Sequence, residues 1–180
     1  MTQTLPPGGA VPSDNIELDF SDPSGYAFDA LARDKVPVRS MRADDLPAIA
    51  QIDRAITGED RSAYLEHQLR EALELSGIRV SLVAERDSGE PIGFVMARVD
   101  FGEFGRTEPE AVIDTIGVDP LHAHHGVGTA LMSQLLVNLT TLRVERVRTG
   151  VRWNDYPLLH FLEACGFRPS QRLALRKRLT

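Results

Sequence analysis

Residues 116–139 read IGVDPLHAHHGVGTALMSQLLVNL. An apolar run ends at Val118, Pro120 stops it, glycines follow at 126 and 128, and an apolar helical pattern starts at once. The two glycines let the backbone approach a ligand closely. The helix behind them presents free N–H groups and the positive end of its dipole. Strand, Gly-x-Gly loop and helix together make an anion site suited to a phosphate or pyrophosphate. A plain strand-to-helix turn would use the same glycines. The loop also holds His122, His124 and His125, but Asp119 is the only carboxylate close by, and loop spacing alone is weak evidence for a metal. No metal is expected.

Working outward, "VPVRSM" (36–41) alternates like a strand. "ADDLPAIAQIDRAI" opens a helix, with Asp44 and Asp45 at its positive end and Pro47 in its first turn. Gly58 breaks it. "EDRSAYLEHQLREALELSG" predicts a second helix, with Leu65, Leu69, Leu73 and Leu75 roughly on one face and Gly77 as its stop. "IRVSLVAERD" and "IGFVMARVDF" form a hairpin across the turn "DSGEP". "GEFGRTEPE" is a polar loop, and "AVIDTIGVDP" is the strand that enters the glycine loop. After the long helix, "VERVRTGVR" is a strand, "PLLHFLEACGF" a short helix, and "RLALRKRL" a last strand. The order β-α-α-β-β-β-α-β-α-β gives an α/β or α+β single mixed sheet. Residues 1–35, rich in Pro, Gly, Ser and Asp, read as a flexible acidic arm before a domain of residues 36–180.

Composition bounds the function. The net charge of -6 argues against non-specific nucleic-acid binding and leaves cationic ligands open. Cys165 is the single cysteine, so there is no intrachain disulfide and no cysteine-based metal finger. No stretch approaches the length of a membrane span, and the N-terminus lacks the features of a signal peptide. The expected location is cytoplasmic, with neither nucleic acid nor membrane as partner.

Two phosphate loops fail against the glycines. A nucleotide P-loop needs Lys-Ser/Thr after them, and Gly128 is followed by Thr129 and Ala130. A dinucleotide fold needs a third glycine or alanine where Leu131 stands. "IGVDPLHAHHGVGTALM" instead resembles the acyl-CoA signature of the GNAT superfamily of N-acetyltransferases. That signature is a hydrophobic-x-Val-x-Pro strand end, then Arg/Gln-x-x-Gly-x-Gly/Ala, then a helix. Ile116, Val118, Pro120, Gly126 and Gly128 match it in type and spacing. The element order matches too, and "PLLHFLEACGF" ends in Gly166-Phe167 as the family's late helix does. The resemblance covers roughly Val36 to Leu179.

The resemblance implies a GNAT-like mixed, mostly antiparallel sheet flanked by helices, and acetyl-CoA or another acyl-CoA as co-substrate. The backbone of Ile116, Gly117 and Val118 would pair with the pantetheine arm. The amides of His124, His125, Gly126, Val127, Gly128 and Thr129 would hold the pyrophosphate. A splayed gap between the strand ending at Val118 and the one beginning near Val144 would admit the thioester. Asn154 or Asp155 would lie near the arm. The chain departs from the pattern at Ala123, where relatives carry Arg or Gln, and at Leu162, where many carry a Tyr thought to protonate the leaving thiolate. Many relatives form homodimers, which this chain would share.

The implied reaction is N-acetylation of a primary amine, on a small molecule or a protein, by direct attack in a ternary complex. The alternative is a non-catalytic acyl-CoA-binding or regulatory module, motivated by Leu162 and Ala123. Attack needs a neutral amine, hence a base. Asp114 is the candidate: it interrupts the apolar strand and by simple alternation shares a face with Val112, Ile116 and Val118. Such neighbours would desolvate it. Pairing with Arg98 for structure alone is the competing role. The acceptor would meet the first two helices and the hairpin, where Tyr64, Phe101 and Phe104 stand among acids that suit a cationic amine.

Overall fold

A computed structural model describes residues 35–72, 80–100, 109–171 and 177–178. The expected arm therefore lies outside the described residues, except for Lys35. So do Phe101, Phe104, Leu73, Leu75, Gly77 and nearly all of the expected last strand.

The elements run β1 (Val38–Ser40), α1 (Leu46–Thr57), α2 (Ser62–Arg70), β2 (Leu82–Glu85), β3 (Pro91–Asp100), β4 (Glu110–Val118), α3 (Val127–Thr141), β5 (Arg146–Thr149) and α4 (Tyr156–Ala164). The strands line up in chain order, β1-β2-β3-β4-β5. The first three pairings are antiparallel and β4–β5 is parallel, because α3 carries the chain back across the sheet before β5 starts. The order and the mixed sheet agree with the sequence reading over the described residues. The outer strands β1 and β5 are shorter than the alternation suggested, since pairing, not pattern, ends them.

Each face of the sheet has its own core. On one face α3 lays Ala130, Leu131, Leu135 and Leu139 over Leu82, Val95, Ala97 and Ile113, with Leu162 of α4 joining them. On the other, Ile49 and Ile52 of α1 and Leu65 and Leu69 of α2 cover Val83, Phe94 and Met96. α1 ends where the sequence said, at Gly58 in the left-handed conformation (φ 73°), which glycine adopts without a Cβ penalty. A 3-10 turn, Ala43–Asp45, precedes α1. Asp45 is buried there and takes two hydrogen bonds from Arg39, at 2.7 and 2.8 Å, and one from the Arg42 N–H at 2.7 Å. It locks β1 to α1 rather than serving only the helix dipole.

The decisive irregularity is in β4. Met96 pairs with Thr115 and Ala97 with Ile113, so Asp114 is an extra residue with no partner on β3. A β-bulge of this kind changes which face later side chains take. Ala111 and Ile113 point to the α3 core before it, Ile116 and Val118 after it. This corrects the expected alternation: Asp114 does not share a face with Ile116 and Val118.

Candidate functional site

Asp114 faces the α1–α2 side, where its carboxylate is bonded to Arg98. Arg98 also reaches Asp100, with Nε 3.2 Å from Oδ1. These bonds, that to Asp114 first, hold the Arg98 guanidinium above the ordinary arginine value. Arg148 of β5 continues the chain of charges to Glu110 at 3.1 Å and to Asp100 at 3.4 Å. Toward α2, Arg61 grips buried Asp53 through both carboxylate oxygens and lies 5.5 Å over the Tyr64 ring. Burial and the nearby Asp114 carboxylate push the Tyr64 phenol above its ordinary value. Tyr64 thus remains a neutral hydroxyl beside Asp114 at ordinary pH.

The β4–β5 ladder stops beside the bulge. Its last pair is Ile113 with Thr149, whose hydroxyl closes the end by donating to the Ile113 carbonyl at 3.0 Å. Beyond it, Asp114 is unpaired and Thr115–Val118 continue on β3 alone, with no ladder to β5 among the described residues. Their outer backbone groups form an edge that an extended amide-bearing ligand can join. Gly117 sits on this stretch because a Cβ there would come within 2.7 Å of the Phe94 ring.

That edge leads into the glycine loop. Asp119 caps a short 3-10 turn, Pro120–His122, by accepting from the Leu121 N–H at 2.9 Å. His124 (φ 63°) and Gly126 (φ 81°) are both left-handed, and such positions turn successive N–H groups toward one point. The first bond inside α3 runs from the Ala130 N–H to the Gly126 carbonyl at 2.9 Å. The amides of Val127, Gly128 and Thr129 therefore have no acceptor within the helix. A Cβ on Gly128 would stand 3.3 Å from the Phe161 ring of α4, so this glycine lets the start of α3 close up against α4. One strand end and one helix start thus bring together Ile116, Gly117, Val118, His124, His125, Gly126, Val127, Gly128 and Thr129.

The histidines divide. His122 sits between Asp119 Oδ2, 3.2 Å from its Nδ1, and Arg86 Nε, 3.0 Å from its Nε2. His122 thus ties the β2–β3 turn to the loop through Arg86 and Asp119. His125 Nδ1 lies 2.8 Å from the Ala123 carbonyl, and His124 and His125 are exposed. Among the described residues, no group of three His, Cys, Asp or Glu is placed to hold a metal. No helix among them is long and apolar enough to cross a membrane.

Asn154 lies exposed in the turn before α4, and Asp155 next to it caps that helix by accepting from the Leu158 N–H. Leu162 is 5% exposed in the core, so no hydroxyl reaches the site from that position. Tyr156 and His160 line a cleft of about 690 Å³ with Arg148, Thr149, Leu159 and Phe167.

Alternation missed the bulge and the face of Asp114. A signal was present: the apolar positions switch from Ala111 and Ile113 to Ile116 and Val118 across the polar pair Asp114-Thr115. The Arg61–Asp53 pair had no signal, because two charges on neighbouring helices look like solvated surface until both are placed.

Residues 46–167 match the model of the Acetyltransferase (GNAT) family. A mycothiol acetyltransferase from Propionibacterium freudenreichii subsp. shermanii is 24% identical over 164 residues, which span 84% of this chain and 49% of that protein. The chain thus spans about half the length of that curated relative. The aminoglycoside N-acetyltransferase AAC(6')-Iy, solved in complex with CoA, is 17% identical with a TM-score of 0.66 over 79% of this chain and 94% of that one. An aminoglycoside acetyltransferase from an uncultured soil metagenomic sample, in complex with sisomicin, is 17% identical with a TM-score of 0.64, over 82% and 98%. At these identities the solved structures speak for the fold.

Proposed function

The chain belongs to the GNAT acetyltransferase family, and we propose that it transfers an acetyl group from acetyl-CoA, or another acyl group from its CoA thioester, to a primary amine within a ternary complex. The observation that carries this reading is the β4 edge: Asp114–Val118 are free of β5, and the edge runs straight into the open amides at the start of α3. An acyl-CoA fits the sequence of features. Its pantetheine amides bond to the backbone of Ile116–Val118, and its pyrophosphate lies on the amides of His124–Thr129, with Asn154 beside the arm. The backbone supplies these contacts, so Ala123 in place of an Arg or Gln is tolerated.

Asp114 takes a proton from the incoming ammonium. The neutral amine attacks the thioester carbonyl, a C–N bond forms, and backbone N–H groups near Val118 hold the oxyanion. The C–S bond then breaks and the thiolate takes a proton from water, since Leu162 offers none. Tyr64 lines the acceptor side. Burial of Leu162 also favours a second reading, a module that binds acyl-CoA without turning it over. A free-thiol release assay over a panel of amines, run beside calorimetric acetyl-CoA binding, separates the two. Release with any amine supports the transferase; tight binding with no release supports the module; no binding removes both.

A further inference from the structure

We infer that the acceptor is an amine bearing its own carboxylate, of the amino-acid type, and that Arg98 reads that carboxylate. This rests on the acetyl-transfer reading above. Among the described residues, four acids on this side are paired within the protein: Asp53 with Arg61, Asp114 with Arg98, Glu110 with Arg148 and Asp60 with Arg54. In three of these pairs the guanidinium is the outer partner. Exposure is 35% for Arg61 against 4% for Asp53, 35% for Arg98 against 16% for Asp114, and 50% for Arg148 against 23% for Glu110. An incoming ligand therefore meets guanidinium before carboxylate. Asp60, at 58%, is about as open as Arg54, at 60%, and Asp100, at 37%, is about as open as Arg98 and is shared between Arg98 and Arg148. At those three pairs an anionic group would find donors on the outer side.

Arg98 is the one of these arginines bonded to the candidate base. It uses Nε on Asp100 and one terminal nitrogen on Asp114, and no partner of its second terminal nitrogen stands among the described residues. A guanidinium presents several donors in a fixed fork suited to a carboxylate. An acceptor carboxylate on that second nitrogen leaves the attached amine within reach of Asp114, at the bulge where the β4 edge opens. It also draws Arg98 toward the ligand and loosens its hold on Asp114, which frees a carboxylate oxygen for the ammonium proton. The overall step balances: the ammonium and the acyl thioester give the amide, the free thiol of CoA and one proton, which leaves through Asp114 to solvent.

The test compares free amino acids with the matching amino-acid amides, alongside spermidine and an aminoglycoside, by thiol release. The acids are expected to exceed their amides in kcat/KM by at least about tenfold, the size of one charge-assisted hydrogen bond. Arg98→Gln should collapse that ratio toward one, through a higher acceptor KM, with the Kd for acetyl-CoA unchanged. Arg98→Lys should recover part of the ratio, which a purely structural role for Arg98 would not do. Amides equal to acids, or turnover confined to the polycations, overturns the inference and leaves acetyl transfer standing. Thiol release with no amine at all removes the transferase reading and this one with it.

Discussion

Asp114 gives its carboxylate to Arg98 from the bulged position of β4, the position with no partner on β3. The bulge and the ion pair depend on each other. The bulge turns Asp114 toward the α1–α2 side, and Arg98, opposite Val112 in the ladder, stands there to receive it. The same bulge lies where β5 stops following β4, so the charged pair sits at the mouth of the cofactor edge.

Asp114→Asn keeps the shape and removes the proton acceptor. Its kcat should fall by about 100-fold, a usual worth of a positioned base. A kcat equal to the parent's in steady-state thiol-release assays would move the base elsewhere.

Gly126 and Gly128 separate two roles of the loop. A Cβ on Gly126 meets nothing within 4 Å, yet φ is 81°, so Gly126→Ala costs about 1 kcal/mol of backbone strain with no crowding. The loop relieves that strain by rotating its amides, and the acetyl-CoA KM should rise severalfold with little change in kcat. Gly128→Ala presses on Phe161 at 3.3 Å without a φ penalty and should act more on stability than on KM. Steady-state kinetics with varied acetyl-CoA, beside thermal melts, distinguishes them; equal KM values for both variants and the parent would detach the loop from the cofactor.

Leu162→Tyr asks whether the missing tyrosine can be restored. Leu162 is buried beneath α4, so a larger ring overpacks the core, at about 1–3 kcal/mol. The melting temperature should drop and kcat should not rise. A faster enzyme with an unchanged melt would show that a tyrosine hydroxyl reaches the thiolate from this helix.

Asp45 makes stability fall in acid. Burial pushes its carboxyl up, but the Arg39 hydrogen bonds and the Arg42 N–H outweigh that and hold it below the ordinary value. A carboxylate with a lower value folded than unfolded stabilises the fold fully above its unfolded value, about 3.9, and loses that contribution as pH falls through the folded one. Arg39→Ala should cost about 2 kcal/mol at neutral pH by stranding a buried charge. It should also flatten the acid side of a plot of urea midpoint against pH. Parallel curves for the two proteins would assign the acid sensitivity to other groups.

Much of the architecture was legible because it rests on local chemistry. Gly58 stops α1, Pro120 stops β4, and the Gly126–Gly128 loop marks the start of α3, each through backbone properties a sequence states outright. The candidate site was legible in its residues and less so in its directions. The bulge inverts strand parity through a register shift with β3, which involves residues some twenty positions away, and strict alternation cannot see it. The arginine partners were hidden for a related reason: Arg61 reaches Asp53 across a helix break and Arg148 reaches Glu110 across a parallel crossover. Of the acids that looked open to a cationic acceptor, Asp53, Asp60 and Asp100 are thus already paired.

The most direct measurement is a crystal structure of the protein with acetyl-CoA bound. The expected density has the pantetheine arm hydrogen-bonded along Ile116–Val118 and the pyrophosphate on the amides of His124–Thr129. The thioester carbonyl should lie beside the Asp114 bulge, in the gap past Thr149. Acetyl-CoA seated elsewhere, with the β4 edge and the α3 start empty, would contradict the assignment of this site.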